Sequence, residues 1–568
     1  MRIPSGALDR RRFLQSLAVL GGGAALADLL PVWARTAQAA ERSPAALSGE
    51  DIRLTIGHTT ISVDGRASHA VTINGTVPGP LIRLKEGQTV RLHVSNGLEE
   101  ETSIHWHGLL VPFEMDGVPG VSFPGIKPGE TFVYEFKVRQ SGTFWYHSHS
   151  GLQEQVGHYG PMIIDPAGED PVAFDREHVV VLSDHSHIHP HQIFRRLKQQ
   201  SGAFNFQRQT IAGLLKGKDQ TLAERLEWGR MLMDPTDISD VTGAAYTFLI
   251  NGRGPSDNWT GLFAPGERVR LRFINAAAQS VFNVRIPGLK LTVVAADGQH
   301  VRPVEVDEFQ IGNAETYDVI VQPVEDKAFT IVSESVDRSG LGRATLAPRP
   351  GMSAEVPPVR KRPLANMRDM GMDMGGMDHG DMDMSMRNPD NAPQVPLGPG
   401  VQMLAPMAAD RTDEPGQGLA DAGHRVLVYR DLVALEPNPD QRAPERSIEI
   451  HLTGNMERFM WGFDGRKFSD RPPPYAFRHG ERVRVVLVND TMMAHPIHLH
   501  GHYFELAFGP PGRMPRKHTV IVLPGGRVAF DFTAETGDWA FHCHMLYHMH
   551  AGMFQVFSVR DGQGEGAR

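Results

Sequence analysis

A single cysteine, Cys543, stands in a chain of 568 residues. No intrachain disulfide can form, so stability must come from buried apolar surface. A lone thiol in an oxidising compartment is a liability unless it is buried or metal-bound. The apolar stretch Leu17–Ala27 is too short to span a bilayer and is interrupted by three glycines, which excludes stable membrane insertion there. An excess of basic charge is also missing. The formal net charge of -9 argues against a nucleic-acid partner, because backbone binding needs a concentrated basic surface. What is present is an ordinary globular composition, 40% apolar and 22% charged, on a chain long enough for two to four domains.

Residues 1–39 read as an export signal rather than as part of the fold. Arg10, Arg11 and Arg12 precede Phe13 and Leu14, an apolar stretch follows, and Ala37-Gln38-Ala39 offers a small-x-small cleavage site. The arginine pair resembles the twin-arginine type of signal, which implies the twin-arginine export machinery as a partner and the periplasm as destination.

The rest of the chain contains one pattern three times, in segments 87–96, 266–275 and 480–489. Each opens at a turn glycine (Gly87, Gly266, Gly480), continues as a β-branched, partly alternating run and closes at an asparagine (Asn96, Asn275, Asn489). Short strands with Gly/Pro turns predict an all-β protein of three Greek-key β-sandwich domains, near 48–170, 171–348 and 425–560. Residues 190–235 interrupt the β pattern with charge-rich, partly helical text. Residues 349–424 form a Pro/Gly/Met/Asp-rich connector whose composition predicts no packed core.

Histidines fall on this repeat in register. Nine and eleven positions beyond the closing asparagine, the first copy has His105 and His107 and the third has His498 and His500. The middle copy has Val284 and Ile286 there. A second pair of segments also matches: Gly142 leads to His147 and His149, and Gly537 leads to His542 and His544. Residues i and i+2 of a strand project from one face, so each His-x-His pair points one way. Eight imidazoles from two domains predict a cluster between them with room for three metal ions. Cys543 faces away from His542 and His544. With His495, His548 and Met553 it completes a thiolate, two-imidazole, thioether set that describes a blue-copper electron-transfer site. Zinc is the alternative metal for Cys and His, but the thioether and the lack of further thiols favour copper. One strand would thus link an electron-accepting ion to a cluster, and four ions can store the four electrons that convert dioxygen to water.

These four motifs together resemble the multicopper oxidases, over essentially the whole chain beyond the signal, and most closely the copper-resistance protein A branch. The resemblance implies three cupredoxin domains and four coppers. It assigns type 1 copper to His495, Cys543, His548 and Met553, and type 2 copper to His105 and His498. The type 3 pair falls to His107, His147 and His544 on one ion and His149, His500 and His542 on the other. Asp116 matches the acidic residue that family members place near the type 2 copper. Some relatives carry a glutamate after the histidine that matches His548. Here that residue is Met549, so a second proton donor must lie elsewhere.

Segment 367–386 holds eight methionines interleaved with aspartates and His379. Thioethers are soft ligands for Cu(I), so the tract predicts an extra Cu(I) site and makes Cu(I) the expected electron donor. A small phenolic donor oxidised in laccase-like fashion, or copper sequestration without catalysis, are the rival readings.

Overall fold

The computed structural model describes residues 46–372 and 386–562; the export signal expected at residues 1–39 lies outside them. Three pairs of sheets follow one another along the chain. Strands between Asp51 and Asp165 form two four-stranded sheets, and strands between Arg176 and Ala347 form one of six and one of five. Those between Ala409 and Arg560 form one of seven and one of five. The fold is all-β and cupredoxin-like, with mostly antiparallel pairing.

The threefold repeat occupies one structural position. Thr89–Asn96, Val269–Asn275 and Arg482–Asn489 each pair parallel with an earlier strand on one side and antiparallel with a later strand on the other. Their closing asparagines act identically. Asn96 Oδ1 accepts from Leu98 N, while Asn96 Nδ2 donates to the carbonyls of Glu100 and Ile126. Asn275 makes the equivalent bonds to Ala277, Ser280 and Ile311, and Asn489 to Thr491, Met493 and Val522. A buried amide with both ends satisfied fixes the loop after each strand. That loop sets where the next strand begins.

The next strands carry the histidines. His105–His107 pairs antiparallel with Gly142–His147, placing His105 opposite His147. His495–Leu499 pairs with Gly537–Cys543, placing His498 opposite His542. The two copies share one register, as the sequence offsets imply. In the middle copy Val284 and Ile286 are fully buried and belong to the main hydrophobic core.

Residues 190–235 form the helices Pro190–Gln199, Ile211–Leu215 and Leu222–Arg230. The first helix starts at Pro190, with His189 capping it. It buries Ile193 and Leu197, stacks Phe194 on Tyr547 and donates Lys198 Nζ to Phe459 O. It therefore covers the segment that follows Cys543.

The expectation that residues 349–424 form no packed core is corrected for their described part. Ala392, Val395, Val401 and Leu404 make a small buried cluster, and Met370 and Met403 enter the main core. The short strand Ala409–Asp410 pairs with Gly526 and Arg527. Composition misleads here because a few apolar residues suffice, four packing on one another and others joining the core of the neighbouring sheets. Of the methionine tract, Met367, Met372 and Met386 lie half-buried against the same core. Residues 373–385 lie outside the described residues.

Candidate metal centre

Eight imidazoles meet where the first and third pairs of sheets face each other. His105, His107, His147 and His149 come from one side and His498, His500, His542 and His544 from the other. All are buried except half-buried His149. His500 Nε2 and His149 Nε2 lie 3.0 and 3.4 Å from His542 Nε2. The rings of His107, His147 and His544 sit with centroids 4.9–5.6 Å apart. His105 and His498 have centroids 5.9 Å apart.

Outer partners turn these rings. His105 Nδ1 donates to Asp116 O at 2.7 Å, and His498 Nδ1 donates to His518 O at 2.7 Å. His500 Nδ1 donates to Asp116 Oδ2 at 2.9 Å, while His147 Nδ1 lies 2.8 Å from Glu154 Oε2. With Nδ1 committed outward, Nε2 points inward. Five of the eight residues (His105, His107, His147, His498 and His544) bury a ring nitrogen with no hydrogen-bond partner. Such orphaned atoms are costly unless something else satisfies them. Burial first, then neighbouring imidazoles, holds His107, His147, His149, His498, His500 and His544 well below the usual histidine range. His542 is lowered to about 4, mainly by burial. Burial thus favours the neutral form of these seven rings, which leaves lone pairs free for a cation.

Asp116 is buried. It is 1% exposed and touches imidazoles from both sides of the cluster, His105 and His500. Gly117, at φ +80°, permits this, because a Cβ there would fall 1.9 Å from Ile104 O.

On the other face of the Gly537–Cys543 strand, Cys543 Sγ lies 3.6 Å from His495 Nδ1 and 3.8 Å from His548 Nδ1. A short helix, Leu546–Ala551, follows Cys543 and carries His548. Gly552 then reverses the chain at φ +127°, and Cys543 N donates to Met553 O at 3.2 Å. Met553 is fully buried. His495 Nε2 contacts Thr491 Oγ1 at 2.8 Å, and His548 Nε2 donates to Asp240 Oδ2 at 2.7 Å, so both Nδ1 atoms face the sulfur. Trp461 stacks on His548 at 4.0 Å. Burial pushes the Cys543 thiol up, an effect that a bound cation would reverse.

The donor set fits copper: one thiol and buried imidazoles, with the buried Met553 held to Cys543 through its backbone. Sequence reasoning missed Glu154, Asp240, Thr491 and His518. None has a motif spacing, and Asp240 lies 308 residues from its partner.

Sequence profiles described as multicopper oxidase match residues 55–169, 176–349 and 441–563. The chain belongs to the multicopper oxidase family. Within it, the chain is 48% identical to the copper resistance protein A homolog of Pseudomonas syringae pv. tomato (strain ATCC BAA-871 / DC3000), over 97% of this chain and 99% of that protein. It is 48% identical to copper resistance protein A of Escherichia coli, with the same coverage. It is 32% identical to multicopper oxidase MmcO of Mycobacterium tuberculosis (strain ATCC 25618 / H37Rv), over 96% and 97%. The solved structure of Fet3p, a multicopper oxidase that functions in iron import, superposes with TM-score 0.63 at 20% identity, covering 90% of each chain. That likeness concerns the fold alone. No helix among the described residues is long and apolar enough to cross a membrane.

Proposed function

We propose that this protein is a cuprous oxidase of the periplasm, which couples one-electron oxidation of Cu(I) to four-electron reduction of dioxygen and so serves copper tolerance. One observation carries the reading. Cys543 faces a two-imidazole pocket on one side of a strand whose neighbours, His542 and His544, belong to the eight-imidazole cluster on the other. His495, Cys543, His548 and Met553 would hold a type 1 copper, and His105 and His498 a type 2 copper. His107, His147 and His544 would hold one type 3 ion, and His149, His500 and His542 the other. Copper so bound would supply one-electron chemistry at the sulfur and dioxygen reduction at the cluster.

The chain's own residues do the rest. Residues 542–544 place the thiol and two cluster imidazoles on consecutive positions, about 3.3 Å apart along the strand. Helix Pro190–Gln199 and Trp461 keep water from the sulfur pocket. Asp116 holds the rings of His105 and His500 and is the proton-carrying group next to the cluster. The modules at 48–170, 171–348 and 425–560 are the units that carry these roles, the middle one without histidines at the repeat position.

Cu(I) as donor is supported by two observations. The relatives at 48% identity are copper resistance proteins A, and half-buried methionines (Met367, Met372, Met386, Met456, Met549) lie against the core that contains Cys543. Deleting residues 373–385 spares the buried Met370 and tests the tract. Oxygen uptake with Cu(I) should fall several-fold while uptake with a bulky phenol is unchanged or higher. Equal loss with both donors would remove the selective copper role. Absence of oxygen uptake with either donor in copper-loaded protein would reduce the protein to a copper store.

A further inference from the structure

Six further imidazoles crowd one surface outside the cluster and the sulfur pocket. His58 and His69 are diagonal neighbours across the antiparallel pair Asp51–Val63 and Arg66–Ile73, and their ring centroids lie 4.7 Å apart. His185, His187, His189 and His191 alternate along the chain, from the last residue of strand Arg176–His185 into helix Pro190–Gln199. The centroids of His185 and His187 lie 5.1 Å apart, and those of His189 and His191 5.4 Å apart. Arg66 and His69 act electrostatically on His187 and His189, so the hairpin and the alternating run adjoin.

Such spacing lets two rings share an ion. His500 and His542 of the cluster have centroids 5.2 Å apart and Nε2 atoms 3.0 Å apart. In the run, His185 is 7% exposed, and its Nε2 is buried without a hydrogen-bond partner. A buried imidazole nitrogen left so is costly unless a ligand satisfies it. Burial pushes the His185 pKa down to about 4, and burial, then Arg66, lowers that of His187, so both rings keep a lone pair at neutral pH. His189 differs. Its Nδ1 accepts from the backbone N–H of His191 at 3.3 Å, so that lone pair serves the start of the helix.

We propose that this surface binds Cu(II), one ion at His58 and His69 and one at His185 and His187, and thereby receives the product of the oxidation proposed above. The product role rests on Cu(I) as the donor. Thioethers favour the cuprous ion, whereas imidazoles with water suit the cupric one, and divalent copper outranks zinc at nitrogen donors. An ion that has lost its electron therefore loses affinity for methionine and gains it for histidine.

The test is equilibrium dialysis of the fully copper-loaded protein against micromolar Cu(II), read by metal analysis and electron paramagnetic resonance. About two further ions per chain should bind, each with imidazole nitrogen coupling. His58→Asn with His69→Asn should lose one of them, and His187→Asn, at an exposed position, the other, with the type 1 absorption unchanged in both. His479→Asn, at another exposed histidine, should lose neither; a loss there would assign the binding to scattered surface imidazoles and overturn the site. No further ions in the unsubstituted protein, or undiminished uptake in the variants, would overturn it as well. The same protein is then given Cu(I). No oxygen uptake would remove the donor reading and with it the product role, whereas oxygen uptake with no further ions bound would remove the site alone.

Discussion

The middle module and its two neighbours share a strand, a closing asparagine and the same three side-chain hydrogen bonds, yet only the neighbours carry imidazoles at the repeat position. Where His105 and His498 stand in one setting, Val284 stands in the other and is fully buried. The scaffold therefore does not dictate chemistry; it dictates position. A buried face can be filled with hydrocarbon, which gains by leaving water, or with imidazoles, which lose unless a cation meets them. The middle module contributes by support instead. Asp240 orients His548, and helix Pro190–Gln199 covers the segment beyond Cys543.

The comparison can be broken most severely at the sulfur. Cys543→Ser should abolish the intense visible thiolate-to-copper absorption and bring steady-state oxygen uptake to background, with cluster copper retained by metal analysis. Making the first module resemble the middle one, by His105→Val with His107→Ile, should leave about two tightly held coppers per chain, one in the sulfur pocket and one at His149, His500 and His542, since a site with missing ligands loses its ion. Circular dichroism should remain that of the folded protein; unfolding would show that the scaffold and the imidazoles are not separable. Asp116→Asn keeps the hydrogen-bonding shape but removes the proton-carrying group. Oxygen uptake should slow by roughly 10²-fold or more at constant copper content, and unchanged turnover would assign Asp116 to packing. The smallest effect belongs to the middle module. Ile286→Ala should cost about 2–5 kcal/mol in denaturant unfolding, leaving copper content and absorption untouched.

Much of this was legible in the chain because strands alternate strictly. His-x-His on a strand means two rings on one face, and His542-Cys543-His544 means opposite faces, whatever the rest of the fold does. The offsets of nine and eleven carried through to the pairing of His105 with His147 and of His498 with His542. The partners that orient the rings were not legible. Asp240 reaches His548 from 308 residues away, and Glu154 and Thr491, though near His147 and His495 in the chain, are marked by no periodicity. The connector was misjudged for a related reason: Met370 and Met403 join a core built mostly by other parts of the chain, and Val401 and Leu404 cluster with Ala392 and Val395 without any regular spacing.

The contact of Asp116 with both His105 and His500 has a consequence for biosynthesis. Half the rings emerge early in translation and half near its end, so a ribosome that stops short of residue 544 leaves an incomplete receptacle with nothing opposite it. Assembly of the eight-imidazole cluster is thereby tied to completion of the polypeptide, and a truncated product lacks half of its rings.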